Sequence, residues 1–155
     1  MIAKSNDDTS WISEIEWNAY SLAVQKAGCL VVGSRTYHIL TKQPEFEELK
    51  DVKLVTVSQE DFKTLVPNHL VAQSPKEALE LLSDFEEVIV AGGGILNASF
   101  LAENLVDEIY LDVEPIILGK GIRLFGEGEF EVKLKLLGTK KLSDNEIQLR
   151  YKVLK

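Results

Sequence analysis

One cysteine, two histidines and no apolar run near the ~20 residues of a membrane helix are what this sequence has least of. Cys29 by itself can form neither an internal disulfide nor a cysteine metal cluster, and its place beside Leu30, Val31 and Val32 predicts a buried thiol. His38 and His69 are too few and too far apart in sequence for a zinc site, so no metal is expected. The opening residues MIAKSNDDTSW have neither the basic region nor the apolar core of a signal peptide, which with no spanning segment predicts a cytoplasmic protein with no membrane contact. Positive charge is also scarce: 17 Lys and Arg stand against 25 Asp and Glu, a net charge of −8 that argues against nucleic acid as a partner. A small phosphorylated ligand stays open, because a few backbone amides and one or two cations can hold it.

What the chain does have is the material for one domain, residues 1–155, with 45% hydrophobic and 27% charged residues. Its organising stretch is Val88 to Leu101, VIVAGGGILNASFL. Val88 to Ala91 reads as a strand inside a central sheet and Leu96 onward as a helix, so Gly92, Gly93 and Gly94 stand at a strand-to-helix junction. Glycines there let an anion approach the main chain, and the helix start offers unpaired N–H groups at its positive end. The same residues also suit a tightly packed turn. Neither a spaced G-x-G-x-x-G fingerprint nor a P-loop Lys-Ser/Thr pair accompanies them.

Taken in order, Asn6, Asp7, Asp8 and Ser10 are loop formers, and Ser13 with Glu16 spells a capping box opening a helix from Glu14 to Ala27. Ile15, Ala19, Leu22, Ala23 and Lys26 trace its inner stripe, and Gly28 stops it. Cys29 to Val32 reads as a buried strand, after which Gly33, Ser34, Arg35 and Thr36 turn into a shorter helix that ends before Pro44. A glycine, two hydroxyls and an arginine fork at such a turn suit a phosphate ester, the lesser alternative being that Ser34 or Thr36 merely caps the helix. Lys53 to Val57 is a third strand leading to Ser58, and Leu70 to Ala72 a fourth. Ser74, Pro75 and Glu77 start another helix, and Glu108 to Val113 forms a strand. Alternation of Val132, Leu134 and Leu136 with lysines, and of Ile147, Leu149, Tyr151 and Val153 with polar residues, predicts a C-terminal antiparallel hairpin.

Three features in this order, GSRTY, VTVS and VAGGGILNASFL, resemble the dihydrofolate reductase superfamily. The tail DEIYLDVEPIILGKGIRLF resembles its branch holding the reductase domain of the bacterial riboflavin-biosynthesis deaminase-reductase and its stand-alone relatives. The resemblance implies an α/β fold, a mostly parallel twisted sheet flanked by helices with a C-terminal antiparallel hairpin. It also implies an NADPH-dependent reductase acting on a small heterocycle of pyrimidine or pteridine type. Carried over by position, Gly33, Ser34, Arg35 and Thr36 and then Gly92, Gly93, Gly94, Ile95 and Leu96 would contact the cofactor phosphates. Arg35 and Ser58 would lie near the adenosine 2′-phosphate.

Members of that superfamily begin with an apolar strand ending in a Ser-x-Asp-Gly-like turn, and this chain starts where that turn would finish. The expectation is a sheet lacking that internal strand. Trp11 followed by Glu14 and Glu16 resembles the placement of a folate reductase's carboxyl group; Glu16 has the closer spacing, but it is also the capping-box acid. Lys4, Lys120 and Arg123 are the candidates for a substrate phosphate, or else merely solvated charges. Stand-alone relatives tend to pair, so a homodimer is expected through Ile116 to Phe125 or the hairpin. A non-catalytic NADPH-binding module is the alternative reading.

Overall fold

The computed structural model describes residues 1–155. Helix α1 runs Glu14–Ala27; Ser13 Oγ accepts from the Glu16 N–H, and Gly28, at φ 74°, ends the helix by donating its N–H to the Val24 carbonyl. The buried side of α1 differs from the expected stripe. Ser21 and Val24 face inward with Trp17 and Tyr20, whereas Leu22 is 67% exposed and Ile15, Ala23 and Lys26 also face solvent. A serine can take the inner place because its hydroxyl donates to Glu48 Oε2 at 2.7 Å, which removes the cost of burying it.

Strands β1 (Cys29–Gly33), β2 (Lys53–Val57), β3 (Leu70–Ala72) and β4 (Ile89–Val90) form a parallel sheet in the order β3-β2-β1-β4. Helices α2 (Ser34–Leu40) and α3 (Pro75–Leu81) lie in the crossovers from β1 to β2 and from β3 to β4, and α4 (Gly94–Ala102) leads out of the sheet from β4. Alternate residues of β1 feed opposite layers: Leu30 and Val32 join Tyr37, Phe46, Leu49 and Leu54, while Cys29 and Val31 join Val55, Ala78, Leu82 and Phe100. A sheet covered on both faces explains why its strands read as continuous apolar runs. Phe46 and Leu49 come from a 3-10 helix, Pro44–Leu49, whose acid-rich six residues carry no helical period in the sequence.

Strands β5 (Glu108–Val113), β6 (Lys133–Lys141) and β7 (Ile147–Leu154) form a separate antiparallel sheet in the order β5-β7-β6. The expected hairpin is therefore present, but Val88 to Ala91 is not an inner strand. Only Ile89 and Val90 pair, at the edge of the parallel sheet, and β4 and β5 are not hydrogen-bonded to each other. Helix α1 spans the division: Trp17 and Tyr20 pack in the layer that includes Ile89 and Ala91, while the Ser13 N–H reaches Glu114 Oε1, one residue beyond β5, at 3.0 Å. Strand β6 is exposed along its whole length, Leu134, Leu136 and Leu137 included. No helix is long and apolar enough to cross a membrane, and no group of three or more His, Cys, Asp or Glu side chains is placed to hold a metal.

Candidate active site

The two polar turns identified in the sequence come together. Parallel pairing of β1 with β4 puts their carboxyl ends side by side, and the Gly33 N–H donates to the Gly92 carbonyl at 2.7 Å. Gly92 has φ 90°, a conformation open to glycine, and the Gly92–Gly93 peptide is cis. A Cβ on Gly93 would lie 3.3 Å from Thr36 Oγ1, so the absent side chain is what lets the two turns approach. Gly94 packs more closely still on the next loop: a Cβ there would collide with the Arg123 carbonyl, and Gly94 O accepts from the Gly126 N–H at 2.7 Å.

Helix α4 starts at this junction with Gly93 as its N-cap, which supplies no side-chain cap. The N–H groups of Gly94, Ile95 and Leu96 therefore lack intrahelical partners and carry the positive end of the helix dipole. Leu96 is buried in the core, so only its main chain is available to a ligand, whereas Ile95 is 85% exposed. Such a cradle fits a pyrophosphate: bare amides, no Cβ at the point of closest approach, and the hydroxyls of Ser34 and Thr36 alongside.

Gly33 pairs in register with Val57, so Ser34 and Ser58 leave neighbouring strands at the same end of the sheet. Ser34, Arg35 and Ser58 line one cavity of about 380 Å³ with Asp7, Lys42 and Asp61. The Ser58 hydroxyl accepts from the Glu60 N–H and donates to the Glu60 carbonyl, both at 3.3 Å, so it holds its own turn as well as facing the cavity. Arg35 is not free. Its Nε and one terminal nitrogen both donate to Asp7 Oδ2, at 2.9 and 2.6 Å. Nothing local in the sequence signals this contact, since the two residues are 28 positions apart.

Glu16 departs from the capping box. Ser13 Oγ does take the Glu16 N–H, but the return bond is absent, because the Ser13 N–H goes to Glu114. The Glu16 carboxyl lies half-buried, Oε2 without a hydrogen-bond partner, near Asp112, Glu114 and Glu146. Burial, then the Glu114 carboxyl and the surrounding negative charge, push its pKa up to about 8. Burial also raises Asp112. The spacing of Asp112, near the end of β5, and Glu114, two residues on and just past it, is the signal in the sequence that these carboxyls share a face. Glu14 is exposed on the first turn of α1, outside this group. Of the candidate phosphate cations, Lys4 is tied to Asp8 at 2.7 Å, Arg123 lies 3.8 Å from Glu127, and Lys120 is exposed.

Residues 1–148 match the RibD C-terminal domain family. The chain belongs to that family. The Bacillus subtilis (strain 168) protein YwjB, itself uncharacterised, is 32% identical over 160 residues, spanning 97% of this chain and 90% of YwjB. Among solved structures, a pyrimidine reductase-like protein from Corynebacterium diphtheriae aligns with a TM-score of 0.71 at 17% identity, covering 94% of this chain and 84% of that one. The Thermotoga maritima diaminohydroxyphosphoribosylaminopyrimidine deaminase/5-amino-6-(5-phosphoribosylamino)uracil reductase aligns with a TM-score of 0.70 at 18% identity. This RibD C-terminal domain is 99% covered by that match and spans about half, 53%, of the Thermotoga chain. At these identities the structural likenesses establish the fold: a dihydrofolate reductase-like α/β arrangement with its helices around the parallel sheet.

Proposed function

We propose that this chain is an NADPH-dependent reductase that transfers hydride to a C=N or C=O bond of a small heterocyclic substrate of pyrimidine or pteridine type. The observation that carries the reading is the pairing of the Gly33 and Gly92 turns, which gathers free amides, two hydroxyls and Arg35 at one end of the parallel sheet. The family match and the reductase names borne by structural relatives support the same reaction class.

In this reading Gly33 to Thr36 and Gly92 to Leu96 hold the pyrophosphate, and Arg35 with Ser58 receives the adenosine 2′-phosphate. The bound cofactor supplies the hydride. The chain's own task is to position the reactants and deliver a proton. Glu16, protonated at neutral pH, is the carboxyl suited to that delivery. Glu14, exposed on the first turn of α1, is the lesser candidate. Substrate-dependent NADPH consumption, assayed against pyrimidine, pteridine and quinone compounds, tests the proposal. Cofactor binding without turnover on any of them would favour the second reading, a non-catalytic NADPH-binding module, which the unpaired edges of β4 and β5 favour.

The 2′-phosphate assignment has its own measurement. A charge-assisted hydrogen bond contributes about 1.5–3 kcal/mol, so Arg35→Ala should weaken NADPH binding roughly ten- to a hundredfold. NADH, without the phosphate, should lose little. Equal losses for the two cofactors in a calorimetric titration would assign Arg35 to the pyrophosphate or to the surface instead.

The protein is further proposed to work as a cytoplasmic homodimer. Support comes from the apolar side chains of the antiparallel sheet, Leu134, Leu136 and Ile147, exposed with Ile116 and Ile117, the last 98% accessible. Sedimentation equilibrium should give twice the chain mass of 17.3 kDa, and a monomer at high concentration would contradict the pairing.

A further inference from the structure

The Asp7–Arg35 pair lies in the cavity assigned above to the adenosine 2′-phosphate. The turn that presents Asp7 is closed on itself. The Asp7 N–H donates to the Lys4 carbonyl at 3.0 Å, the Lys4 N–H donates to the Asp8 carbonyl at 3.0 Å, and Lys4 Nζ pairs with Asp8 at 2.7 Å. Asp8 also accepts from the Ser10 N–H at 2.8 Å. Lys4 and Asp8 thereby satisfy one another, and Asp7 is left to face Arg35. Asp7 holds a φ of 65°, a left-handed conformation that aspartate and asparagine tolerate better than most residues.

One carboxylate oxygen, Oδ2, takes both arginine nitrogens. The other, Oδ1, is buried with no partner. A pair made through a single oxygen, with the arginine side chain largely exposed, is held weakly enough to exchange partners. The charges around it point the same way. Arg35 and Lys42 are opposed in this cavity by three carboxylates, Asp7, Glu60 and Asp61, so with Asp7 in place the cavity is net negative where the reading needs a dianionic phosphate.

We propose that Asp7 is a specificity-determining residue: its carboxylate occupies the guanidinium face of Arg35 that the 2′-phosphate of NADPH would use, and the phosphate binds by displacing it. The inference rests on the cofactor reading above. NADH has a ribose hydroxyl at that place. A hydroxyl can donate to the carboxylate and leave the ion pair intact, which is how acidic side chains accommodate that cofactor. Asp7 therefore narrows the preference that Arg35 alone would give to NADPH, and its removal should widen it.

Asp7→Asn is the informative variant, because asparagine keeps the left-handed turn while abolishing the charge. NADPH and NADH, together with the probes 2′-phospho-AMP and AMP, would be titrated calorimetrically into the wild type and the variant, with thermal melting to confirm that the fold is kept. The expected result is about a three- to tenfold tighter binding of NADPH and 2′-phospho-AMP, with NADH and AMP unchanged or slightly weaker. The gain should vanish in the Asp7→Asn/Arg35→Ala double variant. NADPH binding that is unmoved or weakened in a normally folded Asp7→Asn protein overturns this inference alone. A wild-type protein that binds neither NADPH nor NADH overturns the cofactor reading, and this inference with it.

Discussion

Glu16→Gln lowers the rate of substrate reduction by about 10²- to 10⁴-fold, the usual contribution of a positioned general acid, while leaving NADPH affinity unchanged. The expectation follows from a carboxyl whose burial and acidic neighbours hold its pKa near 8, so that it carries a proton at neutral pH. Wild-type activity should fall as pH rises through about 8, and the glutamine variant should lose that limb. Stability changes with the same sign. The folded chain holds this proton up to about pH 8, whereas the unfolded chain releases it near the ordinary glutamate value of 4.5. Between those values the folded state binds more protons, so stability is fully present below the lower value and declines as pH rises through the upper one. Urea unfolding across this window should show the decline in the wild type and a flatter profile in Glu16→Gln. A variant with unchanged rate would confine Glu16 to starting α1 and packing against the antiparallel sheet.

Gly94→Ala lowers stability by about 1–3 kcal/mol, at the upper end of that range because the added methyl meets a backbone carbonyl rather than a side chain that can turn away. The obstacle is the Arg123 carbonyl, and the Gly126 N–H bonded to Gly94 O fixes the loop on which it sits. For a chain of this size that loss lowers Tm by roughly 2–12 °C. The same displacement disturbs the start of α4, so NADPH affinity falls with it. Gly119→Ala and Gly138→Ala serve as controls, since a Cβ at either position meets nothing within 4 Å. Equal melting points for Gly94→Ala and these controls would mean that the 123–126 loop yields freely.

What could be read from the residues was chiefly what local chemistry decides. The Ser13 and Gly28 ends of α1, the short apolar strands and the Ser74 cap all depend on neighbours a few positions away, and each is found. The two glycine-bearing polar turns were legible one at a time, and their meeting followed from the parallel pairing of β1 with β4. Features set by distant partners escaped. Ser21 faces the interior because of Glu48, and Glu16 is released from the capping box because Glu114 takes the Ser13 N–H. Arg35 is occupied by Asp7 from the opening loop. The edge position of β4 likewise depends on which strands pair, and its apolar run alone carries no such information.

The central claim, that the paired glycine turns hold NADPH, is tested most directly by following backbone amide resonances of the isotopically labelled protein during an NADPH titration. Saturable shifts concentrated on Gly33 to Thr36 and Gly93 to Leu96, with smaller ones at Ser58, are the result the account predicts. No saturable shifts, or shifts centred on the antiparallel sheet with both turns unmoved, would contradict it.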